Sequence, residues 1–165
     1  MSPRWRGKVT VVLRFTTEVV EAVAAAIGAN RTALRISPAN PFNDIVEDEH
    51  TAIYPLLLEA INPLGLAYLH VMETMAPDLT PALREQWNGV FMLNPVTPGS
   101  RTGVEQLPLV QDGAADILSF GQLFMANPDL PHRLAAGAPL NEADMSKAYG
   151  GDATGYTDYP TLENS

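Results

Sequence analysis

Apolar residues return along this chain with two different periods, and the two alternate. The stretch "TEVVEAVAAAIG" places Val19, Val20, Val23 and Ile27 on one helical face, with Glu18 in the first turn and Gly28 where a left-handed C-terminal residue is expected. A strand-like run, "TALRIS", follows. "VEDEHTAIYPLLLEAINPLG" predicts a second helix with acidic residues toward its start, a kink at Pro55 and a stop at "NPLG". "LAYLHVMET" is a second short apolar run, and Thr80-Pro81 reads as an N-cap with proline at the first helical position of "TPALREQW". "GVFMLNP" is a third strand, "TGVEQLPLVQDG" a short helix ended by Gly113, "ADILSFG" a fourth strand, and "LFMANPDLPHRLAAG" a helical return broken by two prolines. The pattern is a leading helix followed by four strand-then-helix units.

Strands alternating with helices at this spacing predict right-handed βαβ crossovers and a parallel sheet buried on both sides. Two α/β architectures fit: an open doubly wound sheet, or half of a (β/α)8 TIM barrel, a fold that takes eight units and about 200 to 250 residues. Both place ligands at the C-terminal ends of the strands.

Composition narrows the classes. With 165 residues and 46% hydrophobic positions the chain can bury one sizeable core. A net charge of -9 with ten scattered basic residues argues against nucleic acid or an anionic membrane surface as partner. No window approaches a membrane span, and "MSPRWRGK" lacks the apolar core of a signal peptide, so a cytoplasmic location is expected. Without cysteine there is no disulfide, thiolate nucleophile or sulfur-ligated metal. The run "VEDEH" is explained by the preference of acidic residues for a helix start, and no metal is expected there.

The predicted strand ends carry the candidate chemistry. They are Arg35 and Ser37 on the first, His70 and Glu73 on the second, Asn94 before "PVTPGS" on the third, and Gly121 and Gln122 on the fourth. Backbone N–H groups after the third strand, with a glycine after the fourth, could cradle a phosphate. The sequence has neither GxGxxG nor GxxxxGK[ST]. Arg35 stands alone as a charge among Ala33, Leu34 and Ile36, and so needs an acceptor: a carboxylate such as Glu73, or a bound anion.

Four stretches, "ALRISPANPFNDI", "PLGLAYLHVME", "GAADILSFGQLFMANPDLPHRLAAGAPLN" and "YGGDATGYTDYPTL", together resemble the C-terminal half of the old yellow enzyme family, the FMN-dependent ene-reductases. The resemblance runs from about Leu13 to Leu162. It implies an FMN-binding (β/α)8 barrel, of which this chain would be the fourth helix followed by strands five to eight. It further implies NADPH or NADH as reductant and an enone-type small molecule as substrate. Arg35 occupies the place of the family's "RLSP" arginine, which contacts the flavin ring and ribityl chain, where a guanidinium stabilises the negative charge of a reduced flavin. Asn94, Pro95, Gly99, Gly121 and Gln122 fall at the family's phosphate site. Many relatives carry arginine where Gln122 stands, and Arg101 is the substitute cation the sequence offers. Tyr156, in "GYTDYP", falls where the C-terminal segment lines the substrate pocket.

The same resemblance leaves the catalytic set empty. The family's His/Asn or His/His pair and its proton-donating tyrosine belong to an upstream strand, and no "HxAxGYL"-like stretch occurs here. The "GGSxENR" motif is replaced by "RGKVTVVLRF", Arg6 to Phe15. The chain is therefore expected to be a truncated, single partial domain, 1–165, with an atypical N-terminus at 1–12 and a tail at 138–165. Unpaired edges on the first and fourth strands predict self-association or complementation by a separate N-terminal half. The alternative reading is a non-catalytic half barrel.

Overall fold

The computed structural model describes residues 3–99 and 101–164, with side chains over 13–99 and 101–163. The side chains of the atypical segment 1–12 therefore lie outside the described residues. Helix α1 spans Pro3–Ile27, β1 Ala33–Ile36, α2 His50–Ile61, β2 Tyr68–Met72, α3 Thr80–Gln86, β3 Phe91–Asn94, α4 Pro108–Gln111, β4 Ile117–Leu118, α5 Gln122–Ala126 and α6 Leu130–Ala136, with short 3-10 turns between several of them. The chain divides into two compact units, the first Met1–Val96 with Leu109–Leu118, the second Thr97–Pro108 with Ser119–Ser165.

The first unit holds the whole sheet. Its strands pair in parallel in the order β1-β2-β3-β4, so β1 and β4 are its edges. Alternation along each strand sends one set of side chains to the helices: Leu34, Ile36, Leu69, Val71, Phe91, Leu93 and Leu118. There they meet Leu57, Leu58 and Ile61 of α2 and Leu83 of α3, in a core where Leu58, Ile61, Leu69, Leu83 and Phe91 are wholly buried.

The other face differs from the expected sheet buried on both sides. Ala33, Arg35 and Ile117 are exposed, and Tyr68, His70, Met72, Met92 and Asn94 are half-buried. A doubly wound sheet would carry helices over both faces. The helices of this unit pack on one side only, which is the arrangement of a barrel wall whose other side is the lumen.

Several local expectations need correction. Helix α1 begins at Pro3 and buries Leu13 and Val20, with Ala24 packed against the core, a spacing of seven and then four residues. Val19, Val23 and Ile27, expected on the buried face, are 44%, 40% and 52% exposed. Apolar residues surround most of this helix, and tertiary packing chose among them. Gly28 does end α1, with φ +98°, and a Cβ there would lie 2.8 Å from Asn30 Oδ1. Helix α2 starts at His50, after the acidic run rather than within it, and continues through Pro55, whose carbonyl accepts the Gln86 Nε2–H at 2.7 Å. Thr80 is the first residue of α3, not its cap, because a 3-10 turn at Pro77–Leu79 leads directly into the helix. The fourth strand shrinks to Ile117–Leu118, and Pro128 falls between α5 and α6, which are separate helices.

The edge strand β4 is short, and polar groups fasten it. Asp116 accepts two hydrogen bonds from Arg84 of α3, both at 2.8 Å, and the backbone N–H of Phe91 at 2.7 Å. The Arg84 guanidinium also lies over the Phe91 ring, 5.6 Å from its centroid. The Phe91 amide, with the Arg84 guanidinium, holds the Asp116 carboxyl below its ordinary range.

Candidate functional site

Parallel register aligns Arg35 with His70, Met92 and Ile117 in one row across the open face, and Met72 with Asn94 in the next row toward the carboxyl ends. Arg35 is exposed and donates from Nη2 to Met72 Sδ at 2.8 Å. Sulfur is a weak acceptor, and among the described residues Arg35 makes no salt bridge. Glu73, the carboxylate weighed as its partner, is engaged elsewhere: its Oε2 accepts the Val96 N–H at 2.9 Å, and its own N–H reaches Asn94 O at 2.9 Å. Arg35 and Glu73 form no ion pair.

His70 lies next to Arg35 on β2. Burial lowers its pKa below the usual histidine value, and the Arg35 charge lowers it further. Its neutral form is thus favoured on folding, and the unfolded chain binds its proton first. The resulting penalty is absent well above about pH 6.5, grows as pH falls through that value, and is complete below the folded pKa. Replacing His70 with glutamine is expected to flatten the acid-side fall in Tm between about pH 7 and 5. Unchanged slopes for the two proteins would contradict this.

The segment after β1 is pinned at both ends. Thr74 Oγ1 donates to Pro38 O at 2.6 Å, while Glu47 accepts the Ala39 N–H at 2.8 Å and the Tyr54 hydroxyl at 3.0 Å. The acidic run thus supplies a loop clamp, and among the described residues no group of three or more His, Asp or Glu side chains could hold a metal. Between these anchors Asn43 and Asp44, like Ala39 itself, have left-handed backbones, with φ of 59°, 57° and 54°. Strained non-glycine residues of this kind persist only where surrounding contacts over-determine them.

The other expected site residues divide between the units. Asn94 ends β3, half-buried, and Pro95 follows it, buried; both belong to the first unit with Arg35. Gly99, Gly121, Gln122 and Tyr156 belong to the second. Gly99 is exposed with φ +71°, and open space lies where a Cβ would be at both Gly99 and Gly121. Gly121 precedes α5 and its carbonyl accepts the N–H groups of Phe124 and Met125. Gln122 is exposed, Arg101 half-buried and Tyr156 58% exposed.

In the first unit Arg35 suits an electron-rich ring edge, being a cation on an open face that, among the described residues, forms no salt bridge. The backbone around Gly99 and Gly121 permits close approach of a phosphate, but Gln122 adds no charge to it. The residues that sequence reasoning missed are Met72, the actual neighbour of Arg35, and the Thr74 and Glu47 clamps.

Four parallel strands, with the helices of the first unit on one face and a cation on the other near the carboxyl ends, define part of a (β/α) barrel. The chain belongs to the NADH:flavin oxidoreductase / NADH oxidase family, that of the old yellow enzymes, whose family model matches residues 2–141. It is 38% identical over 162 residues to 12-oxophytodienoate reductase 1 of Oryza sativa subsp. japonica, covering 91% of this chain and 41% of that protein. To 12-oxophytodienoate reductase 2 of Arabidopsis thaliana it is 34% identical, covering 92% and 42%. Among solved structures, the old yellow enzyme homologue from Zymomonas mobilis matches with a TM-score of 0.84 and 31% identity, over 93% of this chain and 45% of that one. Morphinone reductase in complex with tetrahydroNAD matches with a TM-score of 0.80 and 38% identity, over 90% and 40%. The chain spans about two-fifths of the length of the curated relatives it matches.

Proposed function

We propose that this chain is the C-terminal half of an FMN-dependent oxidoreductase of the ene-reductase type, which passes a hydride from NADPH or NADH through the flavin to an activated alkene in the cytoplasm. One observation carries the reading: Arg35 lies on the open sheet face hydrogen-bonded to the Met72 thioether and, among the described residues, in no salt bridge, while Glu73, the carboxylate weighed as its partner, is bound to Val96. A guanidinium so placed suits the N1 and O2 edge of a flavin, which becomes negative on reduction. Asn94, Pro95, Gly99, Gly121 and Gln122 would hold the phosphate tail, and Tyr156 would face the substrate. When bound, FMN would supply the hydride transfer. This chain would supply cofactor binding and part of the pocket.

Turnover then needs the remaining βα units, with the family's His/Asn pair and tyrosine. The edge strands β1 and β4, the open face, and the exposed Phe15, Val19, Val23 and Ile27 of α1 suit such a complement. Alone, the chain would use the same edges to pair with a second copy. Purified chain mixed with FMN is expected to retain flavin absorbance through a desalting column, and to reduce cyclohexenone with NADPH only after the upstream half of a relative is added. Protein that emerges colourless overturns the flavin reading. Light scattering is expected to give a dimer or larger; a monodisperse monomer overturns self-association.

A further inference from the structure

The second unit contains a buried polar hub that neither the flavin reading nor the sheet requires. Arg133 of α6 is 2% exposed. Its Nε donates to Asp129 Oδ1 at 2.6 Å, its Nη1 to Pro139 O at 2.6 Å and its Nη2 to Pro160 O at 2.9 Å. The second oxygen of Asp129 accepts the Leu162 N–H at 2.8 Å. Asn141 Nδ2 reaches the same Pro160 carbonyl at 2.8 Å, and the wholly buried Asn127 accepts the Asn141 N–H at 2.7 Å. Three segments, 127–133, 139–141 and 160–162, therefore meet at one guanidinium.

The intervening residues 142–159 leave the hub and return to it. Their hydrogen bonds are local: Ser146 to Asp144, Thr154 to Asp152, Gly155 to Asp158, and Asp144 N–H to the Tyr159 hydroxyl. Within this segment only Gly155 is buried. It sits against Lys147, with φ +72°, and a Cβ there would lie 3.0 Å from Lys147 Cβ. Tyr149 and Tyr156 are 86% and 58% exposed. A loop with joined ends and little apolar burial opens as a unit when its base is released.

We infer that Arg133 is the latch of a C-terminal strap, a positioning residue that joins the two ends of loop 142–159 and so fixes where Tyr149 and Tyr156 are presented. Arginine is required because only a forked guanidinium reaches Asp129, Pro139 and Pro160 together. The assignment of Tyr156 to a substrate pocket rests on the proposed function; the latch itself does not.

The chain provides its own probe. Its two lysines are Lys8 and Lys147, and Lys147 lies inside the strap. A lysine-specific endoproteinase acting on the full chain without flavin reports strap opening as cleavage after Lys147, while tryptophan fluorescence reports melting of the first unit, which contains the buried Trp87. Arg133→Lys, which keeps a charge near Asp129 but not the fork, is expected to accelerate cleavage after Lys147 by about tenfold or more with the fluorescence transition unmoved, the cut being identified by fragment mass because the substitution itself adds a lysine to the hub. Asn141→Ala, which removes one of the two donors to Pro160, should give a smaller acceleration. Arg133→Met should give the largest; if it does not fold, the other two variants decide. Unchanged cleavage in Arg133→Lys and Asn141→Ala, or acceleration only in step with a lowered fluorescence transition, overturns the latch. Flavin binding enters neither readout, so failure of the latch and failure of the flavin reading are separable.

Discussion

Phe91→Ala is expected to lower the stability of this chain by roughly 3–5 kcal/mol, the range for emptying a large aromatic site in a core that cannot collapse around it. Phe91 is wholly buried on β3, aligned with Leu69 of β2, and faces the helices. Its ring also sits under the Arg84 guanidinium, which fastens Asp116 at the start of the β4 edge. Truncation therefore removes core volume and the apolar support of that ion pair, although the Phe91 N–H keeps its bond to Asp116. Native domains are stable by only about 5–15 kcal/mol, so much of the stability would be lost. Urea titration followed by tryptophan fluorescence measures it. Met92→Ala, on the next residue and the opposite face, is the control: Met92 is half-buried, and the loss in dilute protein should stay near or below about 1 kcal/mol. If the open face is where a second copy or a complementing half docks, the Met92→Ala penalty should grow with protein concentration while that of Phe91→Ala should not. Equal penalties for both variants in dilute protein would show that the two faces are equally covered.

The strands were legible because their apolar runs are short and bounded by glycine and proline, and all four lie inside the predicted stretches. What the pattern could not supply was the fate of each face. A parallel sheet ordinarily reads as buried on both sides. In β2, leucine and valine alternate with tyrosine, histidine and methionine, which are apolar or aromatic enough to read as core. Helix α1 shows the same difficulty. Val19, Val20, Val23 and Ile27 satisfy a helical period, yet the side that meets the core is Leu13, Val20 and Ala24, and the sequence "EAVAAAI" does not distinguish one side from the other.

Parity explains why Met72 rather than Glu73 meets Arg35. Arg35 aligns with His70, so residues an even number of positions from His70 share its face, and Met72 does. Glu73 has the opposite parity and lies beyond the end of the strand, where the Val96 amide takes its carboxylate. Knowing the register, the sequence would have pointed to Met72. The Arg133 hub carried a weaker signal, an aspartate four residues before an arginine in "NPDLPHRL", a spacing usually seen on exposed helix surfaces. Its burial depends on the return of Pro160 and Leu162, a contact no local pattern encodes.

Arg35→Ala is expected to weaken FMN binding by about 30- to 100-fold, the equivalent of losing roughly 2–3 kcal/mol from a charge-assisted contact. Stability should change little, because Arg35 is exposed and its hydrogen bond is to a thioether. This separates it from core variants, which would lose flavin by unfolding. Arg35→Lys keeps the charge but not the planar fork, and should fall between the alanine variant and the parent. A second readout comes from His70. The Arg35 charge is one of the two causes that lower its pKa, so removing that charge should raise the pKa toward the ordinary value while the share due to burial persists. NMR titration of the His70 ring and flavin titration by fluorescence quenching can be run on the same two variants. A rise at His70 with FMN affinity unchanged would mean that Arg35 shapes the field of the open face without touching the cofactor. A loss of affinity with His70 unmoved would mean that the guanidinium turns away from His70 and toward the ligand. The expected result is both together, because Arg35 and His70 share one row of one face and a flavin edge seated there would meet the same charge that, after burial, lowers the pKa of the imidazole.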